Sequence, residues 1–324
     1  MASLGGSKVV RVGFSFRKKK NFFSAKFLEH ARSRGVTFLE VKQGIPLVEQ
    51  GPFDIILHKR NDSDWFRDME DYKSQHPHVE LIEPAEGVLA LDNREHQLRA
   101  AQLLDLKEFH GKVVTPKQVR IESHTPTKSI RRMLAEAGIS VPFIVKPLAN
   151  SIDGSHDLQI VYRMEGVDQL RPPLLLQEFV DHGGVCFKLY VIGKSFTCVR
   201  RRSVPDIGEI ASDDPDAQPL LGAIRPLPKL SSIPVEQGDM VNDSVRNPEP
   251  EFLERLSAEL TRCLKLRLFN VDLLPEGGTN GDRFVLIDVN YFPGYNKNPG
   301  YEVPFIDFIL EVAAEVNRRK VTLM

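Results

Sequence analysis

Residues 284–295 run Phe284-Val285-Leu286-Ile287-Asp288-Val289-Asn290-Tyr291-Phe292-Pro293-Gly294-Tyr295. The first half reads as a strand. A period of two puts Asp288 and Asn290 on one face and Ile287 and Val289 on the other. Upstream, across a Gly-rich loop, Leu268-Phe269-Asn270-Val271-Asp272-Leu273 is a second such segment, with Asn270 and Asp272 sharing a face. Two carboxylates and an amide oxygen are suitable Mg²⁺ ligands, since Mg²⁺ completes its octahedron with phosphates and water. A solvated outer face is the alternative from these residues alone. A tight turn at Asn280-Gly281 would pair Asp272 with Val289 and send the two aspartates to opposite faces. The metal reading therefore requires a longer loop or a bulge. Downstream, Pro293-Gly294-Tyr295 and Lys297-Asn298-Pro299-Gly300-Tyr301-Glu302 form a loop suited to an acceptor substrate beside that face.

The rest of the chain bounds what such a site can serve. At 324 residues it has room for two domains, or three small ones. Lys plus Arg number 43 and Asp plus Glu 44, so no global polyanion-binding signal exists. The charge is nonetheless uneven. Met1 to Leu28 carries basic residues and no acid, including Arg17-Lys18-Lys19-Lys20, and Lys188 to Arg202 does the same, ending in Arg200-Arg201-Arg202. Two such clusters beside strands suggest a pocket for a small, highly anionic ligand; a nucleic-acid groove would leave a more basic chain. Three cysteines, with no Cys-x-x-Cys pair, exclude a disulfide scaffold and point to a reducing compartment. No apolar run approaches the roughly 18 residues of a membrane span. The N-terminus reaches a strand too soon for a signal peptide. The expectation is a cytoplasmic monomer that binds neither nucleic acid nor membrane.

The organisation reads as α/β. A strand at Val9–Phe14 precedes a helix with Phe23, Phe27, Leu28 and Ala31 at helical spacing, ending at Gly35. Strands follow at 37–41 and 53–59. A second block holds strands at 143–146, 158–161 and 174–179. The last begins near Lys188 and contains two amphipathic helices, through Phe252–Leu264 and Phe305–Val316, each with an early proline. The expected domains are 1–97, 98–187 and 188–324, and the stretch 205–250 reads as irregular. No phosphate loop, dinucleotide fingerprint, protein-kinase signature, metal-ligand spacing or G-x-S-x-G elbow is present.

At Ile287-Asp288-Val289-Asn290-Tyr291-Phe292-Pro293-Gly294-Tyr295 the chain closely resembles the inositol-tetrakisphosphate 1-kinases, or inositol trisphosphate 5/6-kinases, of the ATP-grasp superfamily, and most resembles the plant-type branch. The likeness extends through Gln50–Asp54, Leu57-His58-Lys59, Asn93-Arg94, Pro142–Lys146, Gln177–His182 and Arg201–Asp206. The resemblance implies an ATP-grasp fold, with an N-terminal α/β domain and two further subdomains enclosing the nucleotide. It implies a Mg²⁺-dependent kinase acting on hydroxyls of inositol polyphosphates, such as inositol 1,3,4-trisphosphate or inositol 3,4,5,6-tetrakisphosphate.

Carried over by position, Arg94 and Lys146 would hold ATP, and Gln177, Glu178, Phe179, Val180, Asp181 and His182 would form the hinge against adenine, with Ser203 nearby. Lys20, Lys59, His156, Lys188, Asn290 and Gly294 would surround the inositol phosphate. Lys188 would contact both ligands, and His156 would orient or deprotonate the acceptor. Asp272, Asp288 and Asn290 would hold two Mg²⁺ ions. Three departures stand out: Arg60 in place of an expected leucine, a less basic loop at 149–156, and Ile224-Arg225-Pro226-Leu227-Pro228-Lys229-Leu230 where the plant-type members have a serine-containing segment. Two rival functions use the same face: an ATP-grasp carboxylate–amine ligase, and an inositol-phosphate sensor without turnover.

Overall fold

A computed structural model of the chain describes residues 9–16, 23–91, 97–107, 112–148, 158–204, 206, 222–227, 242, 244–277, 283–295, 298 and 300–322. Three sheets organise it. The first is parallel, in the order β2-β1-β3-β4, built from β1 (Val10–Phe16), β2 (Val36–Glu40), β3 (Ile55–Lys59) and β4 (Glu80–Ile82). Helix α1 (Ala25–Ser33) links the first two strands. The Ser24 hydroxyl accepts from the Phe27 N–H at 3.1 Å to start it, and Phe27 and Ala31 turn inward. Helix α2 (Ser63–Gln75), capped by Asp62, buries Trp65, Phe66, Met69 and Tyr72 along one stripe, and the short α3 (Ala85–Ala90) follows β4.

The second sheet is antiparallel, in the order β12-β8-β7-β9-β6: β6 (Gln118–Ile121), β7 (Phe143–Pro147), β8 (Gln159–Val161), β9 (Leu174–Glu178) and β12 (Ile224–Pro226). Helix α4 (Thr127–Glu136) covers one face. Ile130 and Leu134 join Phe143, Val145, Val161, Leu174 and Leu176 in a core of its own.

The third sheet runs β11-β10-β13-β14-β5: β5 (Val113–Val114), β10 (Val185–Ile192), β11 (Ser195–Arg202), β13 (Leu268–Pro275) and β14 (Phe284–Tyr291). Helix α5 (Pro250–Leu264) packs Phe252, Leu256 and Leu260 against Phe187, Leu189, Val271 and Leu273. The last helix, α6 (Glu302–Thr322), lies between this sheet and the first. Phe305, Ile306, Ile309 and Val312 share one core with Val12, Phe27, Ile55 and Leu57 on one side and Tyr190, Ile192 and Leu268 on the other. Ion pairs fasten its rim: Arg34–Asp307 at 3.0 Å, Arg319–Glu80 at 2.7 Å and Lys320–Asp54 at 2.9 Å. Among the described residues no helix is long and apolar enough to cross a membrane.

Sheet membership departs from the expected division at 98–187 and 188–324. β5 pairs with β14, β10 already begins at Val185, and β12 crosses back to pair with β8. Each of β5 and β12 has at most three residues, too short to announce its partner through a hydrophobic pattern.

Candidate active site

The second and third sheets are joined by residues 179–184, where Gly183 and Gly184 both take a left-handed φ of 65° that glycine adopts without steric cost. On β7, Phe143 and Val145 point into the central core, so Ile144 and Lys146 lie on the opposite face. Ladder pairing sets Ile144 between Ile160 and Gln177, and Lys146 beside Leu175. This is an apolar strip with one ammonium at its end.

The facing sheet carries the acids. Phe187, Leu189, Val271, Leu273, Leu286 and Val289 pack toward α5. The other face therefore presents two cross-strand rows, Lys188–Asp272–Asp288 and Tyr190–Asn270–Asn290. A bulge produces this arrangement. Asp272 opposes Asp288, whereas Leu273 opposes Leu286, so Ile287 is the extra residue. The tight-turn pairing of Asp272 with Val289 does not occur, and both carboxylates stand on the same side. The carbonyl of the bulged Ile287 accepts from Lys146 Nζ at 3.0 Å, a bond between the two sheets.

Electrostatics in the acidic row follow from burial. Lys188 Nζ lies 2.9 Å from Asp272 Oδ1, with both side chains largely covered. Burial pushes the Asp272 carboxyl up, with neighbouring Asp288 adding to the shift while Lys188 and Lys146 oppose it. For Lys188, burial works against the charge, but Asp272 outweighs it and holds the ammonium above the usual lysine range. Asn270 Nδ2 donates to Asp272 Oδ1 at 3.1 Å and Asn290 Nδ2 to Asp288 Oδ2 at 2.7 Å. Among the described residues no group of three or more His, Cys, Asp or Glu side chains is placed to hold a metal. Two adjacent carboxylates with amide side chains beside them nevertheless fit Mg²⁺, which needs only one or two protein carboxylates when phosphates supply the rest.

The residues expected to form the hinge, 177–182, are tied in place. Gln177 and Glu178 end β9; Gln118 Nε2 donates to Gln177 Oε1 at 3.0 Å, and the Lys117 N–H to Glu178 Oε1 at 2.8 Å. The Phe179 and His182 rings lie 5.9 Å apart and tilted, and the Asp181 carbonyl accepts from the Gly277 N–H at 3.0 Å. His182 donates from Nδ1 to the Val180 carbonyl at 2.5 Å and accepts the Ser203 hydroxyl at Nε2 at 2.7 Å. Burial lowers its pKa, and the neutral ring matches those two partners. The sequence offered no sign of Asp206 as a clamp: its carboxylate accepts the N–H groups of His182 at 2.7 Å and Gly183 at 2.9 Å.

At the other end, Lys59 reaches from the first sheet to the Phe292 carbonyl at 2.9 Å, next to Gly294. Arg60, which stands where a leucine was expected, pairs with Asp62 at 2.9 and 2.8 Å and lies over the Trp65 ring, so its charge is absorbed locally. Ile224–Pro226 continues the central sheet as β12. Lys20, Arg94 and His156 lie outside the described residues. The structure thus brings together Lys146, Lys188, Asp272, Asp288 and Asn290, with the hinge at one end and Lys59 at the other.

Two sheets closing on a cleft, joined by a glycine turn, with a lysine on one and an acidic row on the other, define the ATP-grasp fold. Solved structures agree. A RimK-domain ATP-grasp protein from Sphaerobacter thermophilus superposes with a TM-score of 0.57 at 16% identity, covering 93% of this chain and 100% of that one. D-cycloserine synthetase gives 0.55 at 13%, covering 95% and 99%. At such identities the likeness concerns the fold alone. Residues 11–88 match the pre-ATP-grasp domain, and 107–311 the ATP-grasp domain, of the inositol 1,3,4-trisphosphate 5/6-kinases. Inositol-tetrakisphosphate 1-kinase 1 of Oryza sativa subsp. indica is 39% identical over 328 residues, 99% of this chain and 90% of that protein. Inositol-tetrakisphosphate 1-kinase 3 of Arabidopsis thaliana is 39% identical over 310 residues, 94% and 85%. The chain belongs to the inositol 1,3,4-trisphosphate 5/6-kinase family of ATP-grasp kinases.

Proposed function

We propose that the cleft transfers the γ-phosphoryl group of ATP to a hydroxyl of an inositol polyphosphate, such as inositol 1,3,4-trisphosphate or inositol 3,4,5,6-tetrakisphosphate. The observation that carries this reading is the same-side pairing of Asp272 and Asp288, with Lys146 and Lys188 drawn to that spot from two sheets. In the transfer, the acceptor oxygen bonds to phosphorus as the bond to the ADP oxygen breaks, and the hydroxyl proton departs to solvent. Positioning and charge stabilisation dominate such a step.

The strip Ile144–Ile160–Leu175 suits a purine, the 177–182 segment offers backbone groups beside it, and Lys146 suits the phosphates. Asp272, Asp288 and Asn290 would hold two Mg²⁺ ions, which supply charge neutralisation on the ATP oxygens. Lys59, Asn290 and Gly294 face the acceptor side. Lys20, His156 and Arg94 are assigned there and to ATP from the family resemblance. Lys188 would contact both ligands.

The test is turnover with product identification. Purified protein, ATP and Mg²⁺ should release ADP and yield a more highly phosphorylated inositol when inositol phosphate is the sole acceptor. ADP release that requires a carboxylate and an amine would assign a ligase instead; nucleotide and inositol-phosphate binding without ADP release would assign a sensor.

A further inference from the structure

The acceptor end of β13 is held by a circuit of hydrogen bonds that phosphoryl transfer itself does not use. Glu83, at the end of β4, is fully buried. Its Oε1 accepts from the Leu268 N–H at 2.7 Å and its Oε2 from the Arg267 N–H at 2.9 Å, two donors leading into β13. The Leu268 carbonyl accepts from the Phe292 N–H at 2.6 Å, and the Phe292 carbonyl from Lys59 Nζ at 2.9 Å. Lys59 follows His58, whose Nε2–H donates to the Glu83 carbonyl at 2.7 Å while the Arg60 N–H is donated to Nδ1 at 3.3 Å. The circuit closes on Glu83.

The residue gripped on both sides of its peptide is unusual. Phe292 holds a φ of 39°, a left-handed conformation costly for a phenylalanine, and it is fully buried beside Phe16, Tyr295 and Phe305. Such a conformation persists only where its surroundings over-determine it. The turn it makes leads directly into Pro293 and Gly294.

We infer that Glu83 is a positioning residue for the acceptor: its carboxylate fixes the frame in which Lys59 and the 292–294 turn meet. The inference rests on reading that end of the cleft as the acceptor's. A carboxylate is the side chain that offers an acceptor to each of two adjacent N–H groups. Glutamine keeps the shape but turns a donor toward one of them. The Leu268–Phe292 pairing then shifts, and Lys59 shifts with it. The ATP end is anchored separately, by Lys188 on Asp272 and by Asp206 on the hinge.

The test compares Glu83→Gln with a second cut of the circuit, His58→Phe, each checked for folding by circular dichroism. In a folded variant the inositol-phosphate KM should rise about tenfold with a fall in kcat, the scale expected when a substrate contact is misplaced rather than removed. ATP affinity measured without acceptor should stay within about twofold. Glu83→Gln combined with Lys59→Met should be no worse for acceptor KM than Lys59→Met alone, since residues acting through one contact are not additive. Wild-type acceptor kinetics in a folded variant, an equal loss of ATP affinity, or full additivity with Lys59→Met would each overturn the inference. If Glu83→Gln does not fold, His58→Phe carries the same outcomes. A wild-type protein that turns over no inositol phosphate would instead defeat the functional reading.

Discussion

Lys146 and Ile287 are bound to each other across the cleft: the ammonium of β7 donates to the one carbonyl that the bulge in β14 sets apart from its ladder. The same irregularity that brings Asp272 and Asp288 to one side thus supplies the resting partner of the lysine expected to bind phosphate. An ATP phosphate would replace a neutral acceptor with a charged one, the stronger hydrogen bond.

Lys146→Ala should therefore weaken ATP binding even without acceptor. A charge-assisted contact of about 1.5–3 kcal/mol corresponds to roughly a tenfold to hundredfold change in affinity. Titration calorimetry with the nonhydrolysable nucleotide checks this, and unchanged affinity would remove Lys146 from the phosphate site.

The two aspartates should separate in stability though not in activity. Asp288→Ala should lower turnover by on the order of 10²–10³ or more while leaving the fold nearly as stable. Asp272→Ala should lose turnover and also cost about 3–5 kcal/mol, because it strands the covered Lys188 ammonium without its partner. Urea unfolding of both variants, beside the kinase assay, makes the comparison; equal stabilities would mean that Lys188 finds another partner.

Asp206→Ala frees the N–H groups of His182 and Gly183. The hinge should loosen and the KM for ATP rise by about tenfold, with acceptor KM little changed. A rise confined to the acceptor would place this loop on the wrong substrate.

Glu83 and His58 set opposite pH dependences on folding. Burial pushes Glu83 up to about 7, against the pull of the Arg267 and Leu268 N–H groups, and burial pushes His58 down to about 4. A raised carboxyl binds its proton more tightly in the native state, so its contribution weakens as pH rises from about 4.5 to 7. A lowered histidine does the reverse, losing stability as pH falls from about 6.5 to 4. In the wild type the two slopes largely cancel. Relative to Glu83→Gln, wild-type stability should therefore gain about 3 kcal/mol between pH 8 and pH 4. Denaturant midpoints across that range measure it; a pH-independent difference would show that Glu83 titrates in the native state as it does in the unfolded chain.

What was legible came by two routes. The simple count of two puts Asp288 and Asn290 on one face, whereas Lys146, Lys188, Lys59 and the 177–182 segment were assigned by the family resemblance. Asp272 was ambiguous because its side depends on one extra residue in the partner strand, and nothing in Ile287 marks it as bulged. Glu83 and Asp206 were invisible for another reason. Their partners are backbone N–H groups, in the case of Glu83 more than 180 positions away, and a backbone donor leaves no trace in side-chain pattern. Helix α2 went unread in the sequence, although Asp62 as cap and the Trp65–Met69–Tyr72 stripe mark it in the structure.

The division of the hydrophobic cores sets an order of assembly during synthesis. The central sheet and α4 close over their own core with residues between Val119 and Ile224. The first parallel sheet does not: Val12, Ile55 and Leu57 on one of its faces meet Phe305, Ile309 and Val312 of the last helix. Domains commonly fold as they leave the ribosome, N-terminal first. Here the first parallel sheet must wait, with an apolar face uncovered, until α6 has emerged, and the central sheet is able to complete itself before it.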